Sequence, residues 1–402
     1  MAKRVVLAYS GGLDTSVAVR WLIEEHRVEV IALAVDVGQD GGSIDADEIV
    51  TRAKAAGAVE AAVVDACEEF ARDYCVPALK ANALYEGRYP LVSALSRPLI
   101  VKHLVDAAHE HGADAVAHGC TGKGNDQVRF EVSTRALDPS LDVLAPVRSW
   151  GMTREQSILY AYDHGIPITA TKEKVYSIDD NLWGRAIECG EMEDPWAVPP
   201  PGVWSLTKAT SSEPRDLVIG FEHGVPVSVD GRGLGLVDVI ETVGRAVGSY
   251  GWGRLDMVEN RRVGIKSRET YECPASLALI LAHSDLESIT LERDLAREKA
   301  RLEPRYAELV YDGLWFSPLK QALDAFVDTS QEHVTGEVRL RLEPNACTVT
   351  GRQSPDSLYD YGLATYDEAD SFKHEDSAGF VRLWGLSVET WAARQGPGRE
   401  RA

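Results

Sequence analysis

Apolar positions follow two rhythms over the first 165 residues. Val5-Val6-Leu7-Ala8 is a short continuous run with β-branched residues, and Val17, Ala18, Trp21 and Leu22 follow at helical spacing, so the chain opens as strand, loop, helix. The run at 28–37 is too long and too rich in Val and Ile for a surface strand, and a helix through Ile49 to Ala56 comes next. Further strands are predicted at 59–64, 113–117 and 143–147, with helices at 97–110 and 154–164. Continuous apolar strands alternating with helices predict an α/β fold: a parallel, doubly wound sheet covered on both faces. Ligands in such sheets bind outside the carboxyl ends of the strands, so the loops at 9–16, 36–43 and 118–126 should converge there.

Beyond about residue 165 the rhythm changes. Pro199-Pro200-Pro201-Gly202 is rigid and surface-seeking, and 217–221 and 225–229 flank Glu222-His223-Gly224 as a hairpin. A helix is predicted at 234–247, a charged helix with a solvated face at 292–299, and a second hairpin from 337–342 with 347–350. The reading is a nucleotide-binding domain at 1–165, an α+β substrate domain at 166–360, and a tail at 361–402. In the tail, Leu386, Val388 and Trp391 form a short apolar segment after Gly385, and the polar stretch at 395–402 is expected to be disordered.

Charge narrows the partners. A net charge of −21 argues against tight nucleic-acid binding and against an anionic membrane surface. The six cysteines are scattered, without metal or redox spacing, and read as reduced thiols of a cytoplasmic protein. The first residues do not read as a signal peptide, so none is expected, and no apolar run is long enough to span a bilayer. The ten histidines form no obvious metal cluster, and His118 alone among them lies at a candidate site.

Two loops carry the candidate chemistry. Ser10-Gly11-Gly12-Leu13-Asp14-Thr15-Ser16 joins the first strand to its helix, with glycines that admit an anion to the backbone, three hydroxyls, and a helix start. It lacks the G-K-[ST] ending of a P-loop and the G-x-G-x-x-G of a dinucleotide fold. It resembles the pyrophosphate loop of the ATP pyrophosphatases, which cleave ATP between its α- and β-phosphates. Asp14 would then act through Mg²⁺, since a carboxylate among phosphates needs a cation between them. The second loop, His118 to Arg129, offers three glycines, a hydroxyl, an amide, a carboxylate and a guanidinium at a strand end.

A closer resemblance rests on S-G-G-L-D-T-S, L-Y-E-G-R-Y at 84–89, H-G-C-T-G-K-G-N-D-Q-V-R-F at 118–130, Y-S-I-D-D-N at 176–181 and V-E-N-R-R-V-G-I-K-S-R-E-T-Y-E at 258–272. Together with E-L-V-Y-D-G-L-W-F-S-P at 308–318 and S-L-Y-D-Y at 357–361, these are similar in order and spacing to the argininosuccinate synthases. The resemblance implies an ATP-dependent ligase of arginine biosynthesis that joins L-citrulline and L-aspartate, releasing AMP and pyrophosphate, and a homotetramer held by the tail. It implies that Ala8, Tyr9, Ser10, Gly11, Gly12, Leu13, Asp14, Thr15, Ser16 and Gly119 hold ATP, with Val35 near the adenine. Thr121, Asn125 and Asp126 would hold aspartate, and Tyr89, Asn125, Arg129, Ser177, Glu259 and Tyr271 citrulline. Asp14 and Asp126 are the implied catalytic pair. Ala94 and Ala186 stand where the family often has serine, with Ser93 adjacent to the first.

The residues require no covalent nucleophile; positioning and charge stabilisation would carry the reaction. Two rivals remain: a related pyrophosphatase-type enzyme that shares Ser10 to Ser16, and a non-catalytic ATP sensor that shares the fold. A tRNA thiolase should be basic with catalytic cysteines, an amidating synthetase should bring a glutaminase, and an ATP sensor need not keep Asp14, Asp126 and Arg129 together.

Overall fold

The structure is a computed structural model that describes residues 3–39, 44–168 and 176–397. Two compact units divide the chain, Met1–Asp356 and Ser357–Ala402.

The first unit begins with the predicted parallel sheet. Its strands are β1 (Arg4–Ala8), β2 (Glu29–Asp36), β3 (Glu60–Asp65), β4 (Ala115–Ala117) and β5 (Asp142–Leu144), in spatial order β3-β2-β1-β4-β5. Every neighbouring pair is parallel. Alternate side chains enter opposite cores because successive residues of a strand face opposite ways. Val5, Leu7, Val30 and Ala32 pack with Val17 and Leu22 of α1 (Leu13–His26), Ala53 of α2 (Ala46–Ala55) and residues near 161. Val6, Ile31 and Leu33 pack on the other face with Leu95 and Leu99 of α3 (Val92–His111). The order reverses between β1 and β4, and the crevice at that switch point lies outside the ends of both strands. There α4 (Asp126–Leu137) begins, so Asp126 and Arg129, predicted in a loop, belong to the first turn of a helix. The predicted strand at 143–147 ends at Leu144, because Pro146 starts a short helix at Pro146–Trp150. The helix at 154–164 forms as α5 (Arg154–Asp163), with a capping box between Thr153 and Gln156. Residues 40–43 of the predicted 36–43 loop lie outside the described residues.

Two antiparallel sheets follow. One contains β6 (Ser177–Asn181), β7 (Gly184–Glu188), β11 (Arg254–Asn260) and β12 (Lys266–Glu272), in the order β11-β12-β7-β6. The other contains β8 (Arg215–Glu222), β9 (Val225–Val229), β10 (Arg232–Gly233), β13 (Gly336–Glu343) and β14 (Ala346–Gln353), in the order β10-β9-β8-β13-β14. Both predicted hairpins are therefore neighbours in this second sheet. Helices α6 (Leu236–Gly248), α7 (Pro274–Thr290), α8 (Arg293–Tyr311) and α9 (Pro318–Ser330) belong to the same unit.

The expected solvated face at 292–299 is present in Glu292, Arg293, Asp294, Arg297 and Glu298, and Lys299 is the exception. The helix runs on as α8 to Tyr311, and Lys299 is 1% exposed, its ammonium held between Glu287 and Glu303. Those carboxylates compensate the burial of a charge that its own neighbours in sequence do not announce.

In the second unit the apolar residues expected in a short segment lie on α10 (Asp376–Gln395), which continues through Gly379 and Gly385. No described side chain of α10 is buried within this chain, and Phe380, Leu383, Trp384 and Trp391 are each more than half exposed. Residues 398–402 of the expected disordered end lie outside the described residues.

Candidate active site

The first loop is pre-shaped by its own hydroxyls. Tyr9 Oη and Ser16 Oγ lie 2.9 Å apart, Thr15 Oγ1 lies 3.1 Å from Ser10 Oγ, and the Ser10 N–H donates to Thr15 Oγ1 at 3.3 Å. Gly11 has φ +72°, the left-handed region that favours glycine, and its carbonyl accepts from Arg52 Nη1 at 2.8 Å. Ser16 is fully buried, and its hydroxyl contacts Tyr9 Oη, bracing the loop from within. Asp14 lies in the first turn of α1, and burial pushes its carboxyl above the usual range, with Arg154 opposing.

The second loop meets the first. A Cβ on Gly119 would stand 3.1 Å from Thr15 Cγ2, so only glycine lets the ends of β4 and β1 approach without displacing Thr15. Gln127 Nε2 donates to the carbonyls of Gly122 and Gly124 at 2.6 and 3.1 Å, holding the loop from α4.

Beyond the loops, one face of the four-stranded sheet forms a wall. Register sets Ser177 opposite Glu188, and Asp179 opposite Ala186, which in turn faces Tyr271. Glu259 pairs with Ser267, two residues before Glu269 and four before Tyr271, so period-2 alternation gathers these side chains on one face.

Loops and wall enclose a cleft of about 430 Å³. Ser10, Asp14, Tyr89, Gly119, Thr121, Asn125, Asp126, Arg129, Ser177, Glu259 and Tyr271 line it, the greater part of the residues singled out from sequence. Ala8, Tyr9, Gly11, Gly12, Leu13, Thr15 and Ser16 shape the loop behind that lining, and Val35 is buried in β2. Ala94 is buried and does not line the cleft; Ser93 does, its N–H donating to Tyr89 Oη at 3.1 Å.

Sequence reasoning missed five charged residues of the lining: Arg97, Asp179, Glu188, Arg261 and Glu269. Arg97 Nε donates to Asp126 Oδ2 at 2.9 Å and its Nη2 to Asp179 at 2.6 Å, while Arg129 Nη1 donates to Asp126 Oδ1 at 2.7 Å. Burial works to raise the Asp126 carboxyl, and the two guanidiniums overcome it, holding it down at about 2. Arg261 pairs with Glu188 at 2.9 Å and with Glu269. Burial, with Glu188 and Glu259 nearby, pushes the Glu269 carboxyl up to about 8. Arg261 and Glu269 stand inside the 258–272 motif; no local feature of Ser96-Arg97-Pro98 marks Arg97.

An aromatic floor completes the cleft. Tyr89 stacks on Tyr271 with ring centroids 4.2 Å apart, and the hydroxyls of Tyr271 and Tyr311 both donate to Glu259, the latter at 2.7 Å. Burial raises the Glu259 carboxyl, and these hydroxyls oppose the rise. Asn125 donates to Tyr311 Oη at 2.8 Å and accepts from the Arg262 N–H at 2.9 Å, so protein partners occupy both ends of its amide.

Family comparisons agree with this geometry. Residues 4–167 match the arginosuccinate synthase N-terminal HUP domain, and residues 176–391 match the arginosuccinate synthase C-terminal domain. The chain belongs to the argininosuccinate synthase family. The HUP family is ATP-using, which supports ATP as a substrate of this chain. Similar solved structures include the U34-tRNA thiolase NcsA from Methanococcus maripaludis with its [4Fe-4S] cluster, at 16% identity and TM-score 0.27, covering 43% of this chain and 60% of that one. A predicted subunit of tRNA methyltransferase from Methanocaldococcus jannaschii matches at 11% identity and TM-score 0.27, covering 40% of this chain and 74% of its own. The chain thus spans three fifths of the thiolase's length. The six cysteines are free. No helix among the described residues is long and apolar enough to cross a membrane.

The described residues hold no group of three or more potential metal ligands. A lone carboxylate beside a phosphate loop suits Mg²⁺, which keeps waters and substrate phosphates as most of its ligands.

Proposed function

We propose that the chain condenses L-citrulline with L-aspartate, converting ATP to AMP and pyrophosphate through a citrulline adenylate. The observation that carries this reading is the single cleft in which the Ser10–Ser16 loop, the Asp126 and Arg129 turn of α4 and the Tyr89, Glu259, Tyr271 wall meet. ATP lies along Ala8 to Ser16 and Gly119, its adenine toward Val35. Its phosphates take the backbone N–H groups at the start of α1. Asp14 is the protein group that would hold Mg²⁺ together with those phosphates, and the ion supplies charge neutralisation.

Citrulline lies on the wall, contacting Tyr89, Asn125, Arg129, Ser177, Glu259 and Tyr271. Its ureido oxygen attacks the α-phosphorus and pyrophosphate leaves, so the ureido carbon gains AMP as a leaving group. Aspartate, held by Thr121, Asn125 and Asp126, then delivers its amine to that carbon and AMP departs. The protein's part is to bring three substrates into one orientation and to stabilise charge. We also propose a homotetramer assembled through α10, whose exposed Phe380, Leu383, Trp384 and Trp391 offer an apolar surface.

Pyrophosphate release is measured with ATP, citrulline and aspartate, each omitted in turn. Argininosuccinate should form only with all three. Citrulline labelled with ¹⁸O at the ureido oxygen should deliver its label to AMP; label in pyrophosphate, or in neither product, overturns the adenylate.

A further inference from the structure

We infer that His118 is a positioning residue for the reaction proposed above: its Nδ1 captures the Cys120 N–H and so sets the turn that brings Gly119 to the phosphate loop and Thr121 to the aspartate pocket. The inference rests on the proposed activity for its kinetic consequences and on geometry alone for the turn.

His118 directly follows β4, and its own N–H donates to the Leu144 carbonyl at 3.1 Å, continuing the sheet by one residue. The ring is 1% exposed and tilts against Phe130, so it cannot swing away. Cys120 N lies 3.2 Å from Nδ1. A ring nitrogen that accepts a hydrogen bond carries no proton, which fixes the tautomer with hydrogen on Nε2. Burial lowers the ring's pKa to about 4 against the pull of Glu131, so the ring is neutral at pH 7 and Nδ1 remains an acceptor. Nε2 is buried without a hydrogen-bond partner, 3.6 Å from Glu131 Oε1. Nδ1 therefore carries the ring's hydrogen bond, while Nε2 lies in the field of the Glu131 carboxylate.

The captured N–H lies between the two residues that matter. Gly119 packs so close to Thr15 that an added Cβ would stand 3.1 Å from Thr15 Cγ2, and Thr121 lines the cleft. Releasing Cys120 N would let both shift, while Gln127 still holds the loop's far end at Gly122 and Gly124. Tyr89, Glu259 and Tyr271 lie on other elements and would be unmoved.

Asparagine and glutamine separate the two ends of the ring. Asn Oδ1 sits about where Nδ1 does and accepts, whereas Gln reaches toward the Nε2 position and leaves Cys120 N without a partner. His118→Leu and His118→Gln should lower kcat by about 100-fold, the scale of a 1 Å misplacement, and should raise the KM values of ATP and aspartate above that of citrulline. His118→Asn should recover to within about fivefold of the wild type. Amide hydrogen exchange over 119–121, which needs no turnover, should accelerate in the Leu and Gln variants and stay slow in the Asn variant. An Asn variant as impaired as Leu, or a citrulline KM raised equally with the other two, would overturn the role. So would unchanged exchange at 119–121 in all three variants. If the wild type makes no argininosuccinate, the proposed activity fails, and the exchange measurement still decides what His118 does to the turn.

Discussion

Arg97 gives the sharpest test of the cleft's electrostatics, because one guanidinium serves two carboxylates. It bonds Asp126 through Nε and Asp179 through Nη2, and among the described residues it is the ion-pair partner Asp179 has. Arg97→Met keeps the apolar stem and removes the charge. Side-chain exposures of 14% for Arg97, 28% for Asp126 and 34% for Asp179 make this a partly screened network. The Asp126 carboxyl falls from an ordinary 3.8 to about 2, which corresponds to about 2 kcal/mol of folding stability shared between Arg97 and Arg129. Losing half of that and stranding Asp179 gives an expected loss of about 2 kcal/mol at pH 7. The sign follows from a lowered folded pKa: Asp126's contribution is full above about pH 3.8 and disappears as pH falls toward 2. Urea denaturation of wild type and variant at pH 7 and pH 3 measures the gap, which should shrink in acid. The aspartate KM should rise about 10- to 100-fold, more than the citrulline KM. A gap equal at both pH values would mean that Arg97 acts by packing, and an unchanged aspartate KM would remove it from the aspartate pocket.

Four other outcomes are expected. Asp14→Asn, nearly isosteric, should abolish AMP formation without changing the melting temperature; near-wild-type turnover removes Asp14 from catalysis. Arg129→Ala should raise the citrulline KM about 10- to 150-fold and Asp126→Ala should act mainly on aspartate, with the double variant less than additive because the two side chains are bonded; strictly additive kinetics would contradict the pairing. Glu269 binds a proton in the folded state up to about pH 8 and in the unfolded state only to about 4.5, so stability should fall as pH rises through that window, and Glu269→Gln should flatten the fall. Deleting 375–402 should lower the oligomeric mass measured by light scattering, and a full-length monomer would refute the role given to α10.

Strands with both faces buried were readable because burial on two sides leaves no polar residue in the run, as in Val5 to Ala8. The two loops that line the cleft were readable because their glycines and hydroxyls sit at strand ends. What stayed hidden depends on partners far away in sequence. Lys299 looks solvated until Glu287 of α7 is brought beside it, and Arg97 looks like an ordinary helix residue until Asp126 and Asp179 converge on it. Tyr311 stands in a recognisable motif, yet its contact with Glu259 spans 52 positions. Gly385 in α10 misled for a different reason: isolated glycine disfavours a helix by only about 1 kcal/mol, which the rest of a 20-residue helix can absorb.

The cleft's charge inventory bears on how it could accept ATP at all. Asp14, Asp126, Asp179, Glu188, Glu259 and Glu269 line it against Arg97, Arg129 and Arg261. Each of those guanidiniums already has a carboxylate partner, so the described cleft lining offers no uncommitted arginine to the phosphates. Arg52 contacts the carbonyl of Gly11 from the side of α2 and contributes positive potential from there. Arg154, whose charge acts on Asp14, adds positive potential, and the backbone N–H groups at the start of α1 add attraction worth about half a charge. Two unit charges at 4 Å in a partly screened site interact by about 4 kcal/mol, so Asp14 alone would repel each phosphate charge appreciably. A divalent ion between them would reverse that sign, and the repelling carboxylate would become a ligand. Asp14→Asn should therefore also weaken the dependence of ATP binding on Mg²⁺ concentration: the variant should bind metal-free ATP no worse than the wild type, yet gain less from the metal. An equal gain in both proteins would leave Asp14 outside the metal's reach.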